Sequence, residues 1–223
     1  MSEKIEYATN KWEKRKDSIL DHEMARFKKI EELLDYQEKE KKEKLRCMYS
    51  LCLAYRQVLE VLFIRKNAEG FIENLNKMLD LYCECLEESN KMEEPNNTKK
   101  SIFSARKGGV FGYFALISER PQLVRIVAEE GHELNRLLAG QSFEIQNDEM
   151  QYVHEMMMAV ANRDCISFNE ALNNRIVSIR KFKLDYYICV DYWSLGLIRY
   201  AEQCRMTVDR NKYIEADLDY IGL

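Results

Sequence analysis

The chain has 223 residues, 46% apolar and 32% charged, a composition that suits one generous core or two small ones. Its net charge of −4 lacks the basic footprint of a duplex-DNA binder and suits a basic partner better. Only two prolines, Pro95 and Pro121, and eight glycines punctuate it, which points to long helices.

The opening segment MSEKIEYATNKWEKRKDSIL is charged throughout, without the apolar stretch of a signal peptide. No run approaches the length of a membrane span, so a cytoplasmic protein with no membrane partner is expected. An amphipathic helix is predicted from about residue 10 to 36, with Leu20, Met24, Phe27, Ile30 and Leu34 as its stripe. That narrow stripe could bind a partner or pair with a second copy to form a homodimer. The charge run QEKEKKEKLR (37–46) reads as solvated. A more apolar helix follows over 43–66, carrying Leu45, Met48, Cys52, Tyr55, Leu59 and Leu62. After a break at Asn67 to Gly70, a third helix (70–89) places Phe71, Leu75, Met78, Leu79, Tyr82 and Leu86 inward.

The polar stretch SNKMEEPNNTKK (89–100) is the clearest loop. The chain therefore reads as one helical domain over 1–223, divisible there into two packed halves, 1–90 and 98–223. SIFSARKGGVFGYFALISE predicts a single helix whose small residues at 105, 108, 109, 112 and 115 admit a close neighbour. Pro121 opens PQLVRIVAEEGHELNRLLAG, a second unbroken helix, with Gly140 just past its end. A helix over 148–162 turns Tyr152, Val153, Met156, Met157 and Val160 inward. SFNE (Ser167 to Glu170) has the form of a capping box, opening a helix that buries Leu172, Ile176, Ile179 and Phe182. The expected fold is all-α, a single bundle of about eight mostly antiparallel helices.

The last strong segment, KLDYYICVDYWSLGLIRYAEQCRM (183–206), has the length of a six-turn helix and is apolar almost all round. On that helix Asp191 would lie between Ile188 and Leu195 on an aliphatic stripe, with Trp193 on a second apolar one. A carboxylate so placed needs a partner, and Arg175 and Arg180 on the preceding helix are the nearest cations in sequence. Asp191 then either ties two helices together or offers a polar group at a groove. The third stripe, with Asp185, Tyr192 and Arg199, is the wettest.

Seven cysteines, an odd number scattered through helical patterns, fit reduced thiols serving as small core residues. Cys83 and Cys85 would point about 200° apart on a helix, and His22, His132 and His154 are dispersed. No metal or other cofactor is expected.

ISFNEALNNRIVSIRK, followed by YYICVDYWSLGLIRYAEQCRM, resembles the C-terminal half of bacterial polymorphic-toxin immunity proteins. It is similar to the Immunity protein 49 family and to the helical immunity proteins that neutralise secreted DNase toxins. The matching features are the helix carrying the N-x-R-I motif, with Arg175 and Ile176, then Asp191, Trp193, Ser194 and Leu195 of DYWSL, then a small-residue helix end. The resemblance covers about residues 100–223. Where the family carries a proline-containing motif after the last helix, this chain has YIEADLDYIGL.

The resemblance implies a stoichiometric inhibitor that needs no catalytic residue and touches no nucleic acid directly. Its partner would be a cognate toxin protein, a nuclease acting in the cytoplasm. An acidic surface would speed association with such a basic protein. The candidate contact residues are Asp185, Tyr192, Arg199, Glu215, Asp217 and Asp219, for which ordinary solvated charge is the alternative. Two rivals belong to other classes. One is a helical ribonuclease of HEPN type, for which Arg125 and His132 would share a helical face seven positions apart. The other is a regulatory or scaffold module binding through its N-terminal helix.

Overall fold

A computed structural model describes residue 14 and residues 16–93, 96–141, 150–182 and 191–209, without the side chains of 38 and 176–182. The fold is all-α, with no strand among the described residues. After α1 (16–21) come α2 (Glu23–Leu33), a 3-10 turn (Leu34–Glu38), α3 (Lys41–Ile64) and α4 (Ala68–Asn90). Then follow α5 (Asn97–Lys107), α6 (Val110–Ile117), a 3-10 turn (Pro121–Leu123), α7 (Val124–Val127) and α8 (Glu133–Leu138). The series ends with α9 (Gln151–Asn162), α10 (Cys165–Phe182) and α11 (Tyr192–Gln203). One contiguous apolar cluster runs through them from Ile19 to Met206.

α3 and α4 form an antiparallel hairpin because Arg65 to Asn67 leave room for only a tight reversal. The two helices meet along Leu45, Met48, Cys52, Tyr55, Leu59 and Leu62 on one side and Phe71, Leu75, Met78 and Tyr82 on the other, the residues that periodicity selects. By length and composition α3 could also cross a membrane, since its most apolar window has a mean hydropathy of 1.4. The expectation that no run reaches that length is corrected on this helix. Its window is 67% buried inside the molecule, as a core helix requires.

α2 lies on α3 with no buried residue of its own. Two of its expected stripe residues, Met24 and Leu34, are 80% and 50% exposed, and Ile19 from α1 supplies the buried anchor instead. Much of the seam is polar. Arg26 donates to Glu60 Oε2 and to the Gln57 carbonyl, both at 2.9 Å, and Arg65 pairs with Glu23 at 2.7 Å.

The expected helix over 101–119 is two helices, α5 and α6, separated by Gly109 in the left-handed region (φ 62°). The expected helix over 121–140 is likewise broken. α7 ends at Val127, Ala128 is extended, and His132 starts α8. With the division of the expected N-terminal helix at His22 into α1 and α2, these two breaks turn the eight expected helices into eleven among the described residues. They free α6 to run through the middle of the molecule, with Phe111 to Ile117 all buried. α11 crosses α6 at Gly196, where an added Cβ would stand 2.8 Å from the Tyr113 carbonyl oxygen.

Five helices stop in one way. After α3, α6, α8, α9 and α11, the residues Lys66, Glu119, Gly140, Arg163 and Arg205 take positive φ, between 53° and 64°. Each donates its amide three residues back while the next residue donates five back, as in Asp164 N to Ala159 O at 2.9 Å. Gly140 is the only glycine among the five.

Candidate functional site

Asp191 is not mid-helix. It is the N-cap of α11, with φ −79° and ψ 81°, and residues 183–190, Asp185 among them, lie outside the described region. An N-cap carboxylate faces the unpaired amides of the first turn, so this position resolves the conflict that a buried mid-helix aspartate would create. The carboxylate accepts from the Ser194 hydroxyl at 2.6 Å and the Ser194 amide at 3.4 Å. Arg175 of α10 grips it with Nε at 3.1 Å and Nη2 at 3.4 Å. The pair is largely shielded, with 13% and 20% of the two side chains exposed.

The cluster extends into the core. The Arg175 guanidinium sits 5.9 Å from the centroid of Trp193, and the Trp193 ring meets Tyr113 edge-on at 6.4 Å. Tyr113, in the middle of α6, donates its hydroxyl to Met157 Sδ at 3.8 Å, and burial drives its phenol far above the ordinary value. Trp193 is half-buried rather than fully interior, while Leu195 is buried. The arrangement fixes α10, α11 and α6 against one another.

The remaining expected residues separate. Tyr192 is fully buried, its ring 4.5 Å from that of Phe114, so its place on a wet face is corrected. The error follows from α11's surroundings: Tyr192 and Ser194 to Ile198 are all buried, so this turn of helix has no wet stripe. Arg199 pairs with Glu119, the left-handed residue ending α6, and lies 3.9 Å from Glu202. The Arg180 side chain and residues Glu215, Asp217 and Asp219 are outside the described region. Arg125 and His132 do not share a helix, because the chain between α7 and α8 is extended at Ala128.

Sequence reasoning could not place acids on a common surface, and the structure sets three along one groove. Between α9 and α10 lies an open groove of about 370 Å³, floored by Met158, Ala159 and Ala171 and rimmed by Glu155, Asp164 and Glu170. Asp164 is also the true cap of α10, accepting from the Ile166 and Ser167 amides at 3.0 Å and the Ser167 hydroxyl at 2.7 Å. Those bonds, the Ser167 hydroxyl first, hold its carboxyl below the usual carboxylate range. Ser167 therefore serves inside the first turn, and the expected capping box at Ser167 and Glu170 is corrected. The signal was legible as Asp164 three residues before Ser167, but two overlapping caps compete in DCISFNE. The left-handed Arg163 decides between them, since the chain restarts its helix at once.

Among the described residues, no three His, Cys, Asp or Glu side chains converge to hold a metal ion. No protein-family model, curated protein or solved structure matches the chain.

Proposed function

We propose that this chain is an immunity protein, a stoichiometric inhibitor that binds a cognate interbacterial toxin in the cytoplasm and blocks it without catalysis. The observation that carries this reading is the convergence of the residues on which the resemblance rests. Arg175, Asp191, Trp193 and Ser194 come from two separate stretches of sequence, yet they form one connected ion-pair and stacking cluster. A motif that scattered over unrelated surfaces would have undercut the resemblance.

The face that best suits the partner lies on the same segment. The groove between α9 and α10 offers an apolar floor and a rim of three carboxylates, a surface complementary to the basic side chains of a nucleic-acid-cleaving toxin. Complementary charge of this kind raises association rates and penalises wrong partners.

The test is co-expression with any nuclease toxin encoded in a gene neighbouring this one, followed by affinity capture and growth rescue. A complex that restores growth, weakened by about tenfold or more in Glu155→Lys/Glu170→Lys, supports both the function and the face. Rescue that is indifferent to the double reversal moves the contact elsewhere. The absence of both complex and rescue removes the proposal.

A further inference from the structure

α8 is fastened to α6 through two glycine notches. At Gly109 an added Cβ would stand 2.1 Å from His132 Nε2, so the imidazole occupies the space a side chain would take. One turn on, at Gly112, the corresponding point is 2.7 Å from Leu134 Cδ1. His132 has a second task as the N-cap of α8, its Nδ1 accepting the Leu134 amide at 3.2 Å. Since Nδ1 is an acceptor, the proton of the neutral ring is on Nε2, the nitrogen 3.6 Å from Glu133 Oε2.

We infer that His132 is an acid-sensitive latch: protonation at Nδ1 removes the cap acceptor of α8, puts charge into the Gly109 notch and releases α8 from α6. A proton on Nδ1 would face the Leu134 N–H donor directly, so the cap and the charged ring exclude each other. The groups around the ring pull in both directions. From its own segment, Glu133 and Glu129 favour the charged form, as does a hydrogen bond to the Gly108 backbone at the end of α5. His154 of α9 opposes it, and Glu133 also lies within reach of Tyr113 on α6. Burial outweighs the two carboxylates and holds the ring below its ordinary value of 6.5. The inference is independent of the proposed partner, because it concerns how α8 stays seated in the free chain.

Amide hydrogen exchange of the full chain between roughly pH 7.5 and 5 tests it. Protection over residues 133–138 should lie below that of the α3–α4 hairpin, which opens only with global unfolding, and should fall by up to about tenfold per pH unit below pH 6.5, the limit for one linked proton. His132→Asn keeps a capping oxygen without a titrating ring and should flatten that dependence; His154→Gln should retain it. A pH-independent wild type, an unchanged slope in His132→Asn, a slope lost in His154→Gln alone, or protection over 133–138 equal to that of the α3–α4 hairpin at every pH overturns the latch. Should His132→Asn fail to fold, wild-type resonances decide. A shared midpoint for the His132 ring and the Leu134 amide supports the latch, and a Leu134 amide that ignores the ring's titration overturns it.

Discussion

Replacing Asp191 by alanine removes the first-turn cap of α11, both hydrogen bonds to Ser194 and the carboxylate gripped by Arg175. Loss of an N-cap costs about 1 kcal/mol. Breaking a buried ion pair from one side costs about 3–5 kcal/mol, but the 13% and 20% exposure of these side chains lets water reach them and discounts that figure. The sum comes to roughly 2–4 kcal/mol. Asp191→Asn separates the two parts, because asparagine caps about as well as aspartate but carries no charge, and it should lose about half as much. Urea denaturation with a common m-value provides the measurement, and a cycle with Arg175→Ala isolates the pair. A loss under about 1 kcal/mol in Asp191→Ala, or strict additivity with Arg175→Ala, would show that the cluster is surface decoration.

Gly109→Ala should destabilise by about 2 kcal/mol or more, since it combines a left-handed φ with a Cβ placed on the His132 ring; the midpoint of thermal unfolding reports it. Arg163→Gly should raise stability by roughly 0.5–1 kcal/mol in the same denaturation assay, because the residue sits at φ 53° and glycine relieves that strain, less its greater freedom when unfolded. His132 and His154 are both held below 6.5 by burial, so below that pH the unfolded chain binds more protons than the folded one. Stability is then greatest above pH 6.5 and falls as pH drops from 6.5 towards the folded values, by at most about 1.4 kcal/mol per unit per histidine; a flat profile from pH 7 to 5.5 contradicts the burial of the rings.

Periodicity read the long helices well because each has one face to satisfy. Phe71, Leu75, Met78 and Tyr82 recur at three-and-four spacing, and all four are fully buried. It read α6 and α11 poorly for the opposite reason. α6 is buried almost all round, and so, but for Trp193, is the first half of α11, so no stripe marks their phase there; Arg199, Glu202 and Gln203 of α11 do reach solvent. That is how Tyr192 came to be placed on a wet face. The ends of α3, α6 and α9 were read within two residues, and the stops missed were the internal ones at Gly109 and Ala128. Gly140 announces a stop, whereas Lys66, Glu119, Arg163 and Arg205 have the composition of a helix that continues.

The central cluster was half legible for a related reason. A carboxylate among aliphatics demands a cation, so chemistry narrowed the partner to Arg175 or Arg180, and the structure sets Arg175 on the carboxylate. Periodicity could not say that Asp191 starts a helix, because the residues on both sides of it are apolar and continue the hydrophobic run without a break. The acidic groove was not legible at all. Glu155 and Glu170 are unremarkable surface acids until Arg163 and Asp164 fold α10 back along α9 and set them on one rim. A surface that recognises a partner is a property of helix pairing, and pairing here depends on a two-residue reversal whose geometry no periodic pattern encodes.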